Sequence, residues 1–416
     1  MGCRGRSSVR GKSSAGGKSY LSTMGSEIMK KLTDSVSRLS GEGAFEILAK
    51  ANALEREGRS IVHMEIGQPD FPTPENVKEA GIRAIRENKT RYTPSNGIYE
   101  LREAIAERIE QTRGFRPSHE QILPTVGGKG VIFYSILALV EPGDEVILPN
   151  PGYPAYASVV NYVGGKIVDL PLLEEARFEI DIADVEERIT DRTKLIIINS
   201  PHNPCGSVLS KRCIEDIASL CEQRDIYLLS DEIYSKVIYD QEHHSPGVAD
   251  ECRERTLLLD GFSKTYSMTG WRLCYCIGPT PVIKQMSVLL LNSVSCVPSM
   301  VQWAGVEALR GPQDKVGEMV RIFKERRDLI VSGLNSISNV ECHLPGGAFY
   351  AFPSIKKTGM TSKALQEYLL TEAGVALLPG TGFGRYGEGY LRLSYATSKE
   401  QIMEGLRRIK DGIDRL

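Results

Sequence analysis

The sequence predicts an α/β fold: a mainly parallel sheet with helices on both faces (a large domain) plus a smaller α+β domain. Three observations predict it. Short apolar runs recur that read as fully buried strands: EVILP (145–149), KLIIIN (194–199), IYLLS (226–230), TLLLD (256–260) and LCYCI (273–277). A strand covered on both faces is apolar throughout rather than alternating. Most of the runs are separated by helical patterns, and the last third of the chain changes to short strand-like pieces flanked by helices.

Taken in order, Thr73-Pro74 opens a helix, with threonine as cap and proline in the first turn. The next helix carries Ile98, Leu101, Ile105 and Ile109 on one face. Gly127, Gly128 and Lys129 start an apolar helix that includes VIFYSILALV (131–140), a run far too short to span a membrane. SKRCIEDIASLCEQRD (210–225) is a helix between two buried runs. Helices are expected around 313–335 and 361–373, with strand-like pieces GAFYAF (347–352), VALLP (375–379) and YLRLSYA (390–396). The final helix places Ile402, Leu406, Ile409, Ile413 and Leu416 on one face. FKERRD (323–328) reads as a solvated helix face, and YDQEHHSPG, with His243 and His244, as a solvated loop. The expected division is a disordered basic tail over 1–30, an arm and part of the small domain over 31–66, a large domain over 67–305 and a small domain over 306–416.

Bulk composition excludes several classes. Of 416 residues, 41% are hydrophobic and 25% charged, ordinary for a soluble globular chain. A net charge of −2 gives no electrostatic case for nucleic acid or an anionic membrane as partner. The nine cysteines are scattered, odd in number and without a CxxC pair, so they read as reduced thiols of a cytoplasmic protein with no metal site. Cys274 and Cys276 alternate along one strand and pack on the same face. The first 25 residues are basic, rich in Ser and Gly, and free of acids. That composition fits an organelle transit peptide, a flexible tail, or a start nearer Met24 or Met29.

In open α/β sheets functional groups gather beyond the carboxyl ends of strands. Four such places carry polar residues that packing does not need. KLIIIN leads into SPHNPCG, with Ser200, His202 and Asn203; IYLLS leads into Asp231, Glu232 and Tyr234; TLLLD leads into Ser263 and Lys264. The Gly127-Gly128 pair opens a helix, where bare backbone N–H groups and the helix dipole bind phosphate, and Arg272 adds a charged fork. An amine, a carboxylate, a phenol, an amide and a phosphate cradle together suit one cofactor, pyridoxal 5'-phosphate.

Here the sequence resembles the fold type I pyridoxal-phosphate aminotransferases of class I and II, most closely the aspartate aminotransferase branch. The motifs in order are EIGQPDFPTP, RYTPSNGIYELREAIA, TVGGKG, PGDEVILPNPGYPAY, NSPHNPCG, SDEIY, SKTYSMTGWR and RLSYATS. The resemblance implies that Lys264 carries the cofactor as a Schiff base and then shuttles the proton. Asp231 would pair with the ring nitrogen, Tyr234 and Asn203 with the phenolic oxygen, and Tyr153 would stack on the ring. Gly128, Lys129, Ser263 and Arg272 would surround the phosphate, with Tyr92 reaching it from the second subunit of a homodimer. Arg392 and the Gly67 backbone would bind the substrate α-carboxylate, beside Asn203, Tyr153 and Lys129. Two departures stand out: Gly261 replaces the serine many relatives have there, and Tyr153 replaces the tryptophan of many aspartate enzymes.

The expected reaction is amino transfer between a small-molecule amino acid and a 2-oxo acid. The same resemblance implies that Lys129 meets a distal carboxylate, which favours a dicarboxylic donor, aspartate, with 2-oxoglutarate as acceptor. Neutral, aromatic or prephenate, and diaminopimelate substrates remain alternatives. So does a lyase, cyclising or oxidase outcome on the same cofactor. A ligand-sensing module is disfavoured, because Lys264, Asp231 and Arg392 are all present and no helix-turn-helix precedes them.

Overall fold

The computed structural model describes residues 33–41 and 43–416. The basic tail expected over 1–30 therefore lies outside the described residues. The strands are β1 (Val62–His63), β2 (Ile122–Thr125), β3 (Glu145–Asn150), β4 (Lys166–Pro171), β5 (Thr193–Asn199), β6 (Tyr227–Asp231), β7 (Thr256–Gly261), β8 (Cys274–Ile277), β9 (Tyr350–Ala351), β10 (Val375–Ala376), β11 (Leu378–Pro379) and β12 (Leu391–Ser394). The helices are α1 (Gly43–Arg56), α2 (Glu75–Arg86), α3 (Tyr99–Arg113), α4 (Gly128–Leu139), α5 (Pro154–Val163), α6 (Ile182–Arg188), α7 (Lys211–Arg224), α8 (Gly247–Asp250), α9 (Thr280–Val294), α10 (Ser299–Arg310), α11 (Asp314–Asn335), α12 (Ser362–Tyr368) and α13 (Lys399–Ile413).

A seven-stranded sheet runs in the order β2-β8-β7-β6-β5-β3-β4. β8 alone runs against both neighbours; every other adjacent pair is parallel. The connection from β7 to β8 carries no crossover helix, which is what an antiparallel neighbour permits. Along β5, Leu195 and Ile197 pack toward α4, α5 and α9, while Ile196 and Ile198 pack toward α7. Burying such a side chain contributes about 1.5–3 kcal/mol. The two strands the apolar-run criterion passes over, β2 and β4, are the sheet's edges. β2 contains Pro124, tolerated at an edge because no ladder hydrogen bond is needed there, and β4 is only partly buried.

The register brings the functional ends together. Asn199 pairs with Asp231, Asp231 with Leu259, and Gly261 and Thr125 each pair with Cys274. Beyond this edge lies a second assembly, with β9, β12 and β11 antiparallel and β1 pairing β10 in parallel. Val62 and Met64 share its core with Phe323, Ile330, Ile402 and Ile409 of α11 and α13.

Three local expectations differ. Thr73 does not cap α2; its hydroxyl donates to the Ser267 carbonyl and accepts from Trp271 Nε1. Arg326 and Arg327 are buried rather than solvated: Arg326 forks onto Asp70 at 2.7 and 2.8 Å, and Arg327 reaches Asp240 at 3.0 Å. His243 is also drawn inward, with Nε2 2.8 Å from Glu232. A charge run shows only that a helix has a polar face, not which acids from distant loops will cover it.

Candidate active site

The site grows from the ends of β5, β6 and β7. Asp231, the last residue of β6, is 4% exposed. Its Oδ2 accepts from Tyr156 Oη at 2.7 Å and its Oδ1 from the Ile233 amide at 3.1 Å. Burial pushes its carboxyl up to about 6 against the pull of the Tyr156 hydrogen bond. Asn199 ties the adjacent ends: its Nδ2 donates to the Asp231 carbonyl at 2.9 Å and its Oδ1 accepts from the Asn203 amide at 2.9 Å. Tyr153, partly buried at the start of α5, meets Tyr156 edge to face at 5.6 Å.

A cradle for an anion forms where β2 turns into α4. Gly127 sits at φ 78°, a conformation that favours glycine. A Cβ there would lie 2.2 Å from Arg272 Nη2, so the guanidinium closes over bare backbone. The twelve-residue helix α4 begins at Gly128 and points its first N–H groups and its positive dipole end at the same place. Ser263 is buried beside it, within 3.9 Å of Cys274 Sγ. These groups fit a phosphate.

On the opposite side, Lys264 Nζ donates to the Gly67 carbonyl and lies 5.8 Å from the Phe349 ring centroid. Arg392, 4% exposed on β12, donates to the Glu65 carbonyl and, at 3.5 Å, to Asn203 Oδ1. Its guanidinium lies 4.5 Å over the Tyr350 ring and 5.2 Å from Phe383. Tyr350 Oη is also 2.7 Å from Tyr234 Oη. A side chain at 67 would collide with Tyr350, its Cβ falling 2.0 Å from that oxygen. The stretch 65–67 thus touches both the amine and the guanidinium.

Behind the site lies a buried ionic cluster. Arg113 Nη2 donates to Glu232 Oε2 at 2.8 Å and Asp260 Oδ2 at 2.9 Å. Glu232 also meets His243 and Ser245, and Asp260 accepts from Ser235 and the Gly261 amide. Burial alone would raise Glu232, but His243 and Arg113 hold it down at about 2. Among the described residues His202 meets no hydrogen-bond partner at either ring nitrogen, and burial pushes its pKa down to about 3.

Of the residues singled out by sequence, Gly67, Gly128, Tyr153, Asn203, Asp231, Tyr234, Ser263, Lys264, Arg272 and Arg392 fall within this connected region. The Lys129 side chain is exposed on α4, and Tyr92 is 90% exposed. Sequence reasoning missed Tyr156 and Tyr350. Tyr156 stands in PGYPAY, a quoted motif, so its position was visible although its partner was not. Among the described residues no cluster of acids, cysteines and histidines could hold a metal, all eight cysteines are free thiols, and no helix is long and apolar enough to cross a membrane.

A lysine amine, a buried carboxylate, an anion cradle and a buried arginine thus stand together at the strand ends of a two-part α/β fold. Residues 59–409 match the family of class I and II aminotransferases, and the chain belongs to it. It is 42% identical to a probable aspartate/prephenate aminotransferase of Aquifex aeolicus, over 93% of this chain and all of that one. It is 39% identical to aromatic-amino-acid aminotransferase 2 of Thermococcus litoralis, over 84% of this chain and 91% of that one. Among solved structures, the aspartate aminotransferase from Thermus thermophilus with maleate superposes with a TM-score of 0.88 at 39% identity, covering 92% of this chain and 100% of that one. The protein is an aminotransferase.

Proposed function

We propose that the protein moves the α-amino group of a dicarboxylic amino acid, aspartate first, to a 2-oxo acid such as 2-oxoglutarate, using pyridoxal phosphate. The observation that carries this is the shared contact of Lys264 and Arg392 with the stretch 65–67. One amine for the reacting carbon and one guanidinium for a carboxylate stand on either side of the same short segment.

When bound, pyridoxal phosphate supplies the carbonyl carbon that takes the amino group and a ring that accepts the electron pair left at Cα. Asp231 would hold the ring nitrogen, and Asn203 and Tyr234 the phenolic oxygen. Tyr153 would lie against the ring, with Gly128, Lys129, Ser263 and Arg272 around the phosphate and Tyr92 added by a second copy of the chain. Arg392 grips the substrate α-carboxylate as a bidentate fork, and Gly67 presents its backbone beside it. That grip would orient the Cα–H bond toward Lys264, whose amine would take the Cα proton and hold it for return. Lys129 meets the distal carboxylate of the donor. The large unit (67–305) and the small unit (31–66 with 306–416) would close on the substrate between them.

The names of the two curated relatives, one aspartate/prephenate and one aromatic, support a second substrate reading. So do the aromatic rings of Tyr350 and Phe383 against Arg392. The test is the absorption of the purified protein. L-Aspartate alone should bleach the yellow cofactor band, and 2-oxoglutarate should restore it. Bleaching by aromatic donors but not aspartate would transfer the assignment to the second reading. No band after adding cofactor would overturn both. Lys264→Ala should lose turnover while retaining noncovalent cofactor.

A further inference from the structure

β4, an edge of the seven-stranded sheet, leads into a turn that reaches the second assembly. Two residues of that turn make the contact, Glu174 and Phe178. Glu174 Oε2 accepts from Tyr390 Oη at 2.7 Å and from Lys356 Nζ at 3.1 Å. Lys356 Nζ also donates to Tyr390 Oη, at 2.6 Å. A carboxylate only accepts and an ammonium only donates, so the single hydrogen of the phenol points at Glu174. At 18% exposure the Glu174 side chain is shielded from water enough for these bonds to count. Phe178 sets its ring edge to face against Tyr390 at 5.5 Å and Phe352 at 5.7 Å, and those two rings stack on each other at 4.9 Å. It is buried at φ 58°, directly after Arg177 at φ 54°. The left-handed region is disfavoured for so bulky a side chain, so the contacts of the ring must outweigh the strain of the backbone.

Tyr390 stands immediately before β12, two residues from Arg392. Leu391 and Leu393 pack into the core shared with α11 and α13, while Tyr390 packs on the other side with Phe178, Phe352 and Phe383. Alternation along the strand puts Arg392 on the same side as Tyr390, and its guanidinium lies 5.2 Å from the Phe383 ring. Phe383 is tied to the same place: its ring meets Phe352 edge to face at 6.4 Å, and the Gly380 amide, which opens its turn, donates to the Tyr390 carbonyl at 2.8 Å. We propose that Glu174 is a positioning residue for the substrate grip, with Phe178 as the anchor of its turn. From the sheet whose ends carry Lys264, it holds the start of β12, and with it Arg392, in place relative to the amine.

The proposal rests on the reading of Arg392 as the carboxylate grip. Its probe is succinate, a dicarboxylate with no amino group to transfer, titrated by calorimetry into the cofactor-loaded protein. Glu174→Ala and Tyr390→Phe should each weaken succinate by about three- to tenfold, part of the worth of one hydrogen bond to a charged group. The double variant should be no weaker than the single ones, because each removes the same bond. Glu174→Gln, which keeps an acceptor for the phenol, should recover most of the loss. The affinity of the cofactor-free protein for pyridoxal phosphate should not change in any of them. If Glu174→Ala and Tyr390→Phe lower the unfolding midpoint yet bind succinate as the natural chain does, the contact only supports the fold and the proposal is overturned. A matching loss of pyridoxal phosphate affinity would overturn it too, since the whole site would then have loosened. If Arg392→Ala binds succinate as well as the natural chain, the carboxylate reading itself falls and takes the proposal with it.

Discussion

Arg392 and Asp231 are costly to bury without compensation, and each has a neighbour that makes burial tolerable. Arg392 rests on the Tyr350 ring and donates to Glu65. Arg392→Ala should lower kcat/KM for the amino donor by about 10²–10³-fold, the worth of two charged hydrogen bonds, with the cofactor band intact; unchanged kinetics would remove it from the substrate site. Asp231 depends on Tyr156. Tyr156→Phe should cost about 1–3 kcal/mol of stability in denaturant unfolding. It should also raise the Asp231 pKa further, moving the acid limb of the kcat/KM profile to higher pH. An acid limb that stays in place would show that Asp231 does not set it. At this scale the sequence was most legible for residues whose chemistry sits beside a strand end, such as Lys264 and Asn203. Tyr156 and Tyr350 escaped notice because an aromatic residue in an apolar run reads first as packing.

The sheet's central strands could be read from apolar runs because burial on both faces leaves no polar position to confuse the pattern. Its edges could not, for Pro124 and the half-buried β4 break that pattern. The ionic cluster was invisible for another reason: Arg113, Glu232, Asp260 and His243 come from four separate segments, and only the fold joins them. It braces α3 against the ends of β6 and β7. Arg113→Met removes the guanidinium that Glu232 and Asp260 share and should destabilise the protein by about 3–5 kcal/mol. The midpoint of urea unfolding measures this; a shift within error would mean that the cluster is braced from elsewhere.

Across the whole molecule, the first described segments are stitched to the last. His63 on β1 bridges Glu65 at 2.7 Å and Glu55 of α1 at 3.2 Å, and β1 pairs with β10. The Glu65 hydrogen bond raises the His63 pKa to about 9, against the effect of burial. A raised histidine stabilises fully below its unfolded value near 6.5, and that contribution disappears as pH climbs through about 9. Thermal midpoints should therefore fall across that window, and less so in His63→Gln; equal slopes would exclude His63. The same stitching governs how the protein is made. Val62 waits for Val375, and the carbonyl of Glu65 waits for Arg392. A ribosome makes every strand of the seven-stranded sheet before it reaches Val375 or Arg392. Throughout that interval the segment around 62–65 has to wait without these partners, while the sheet between them in the chain is already complete.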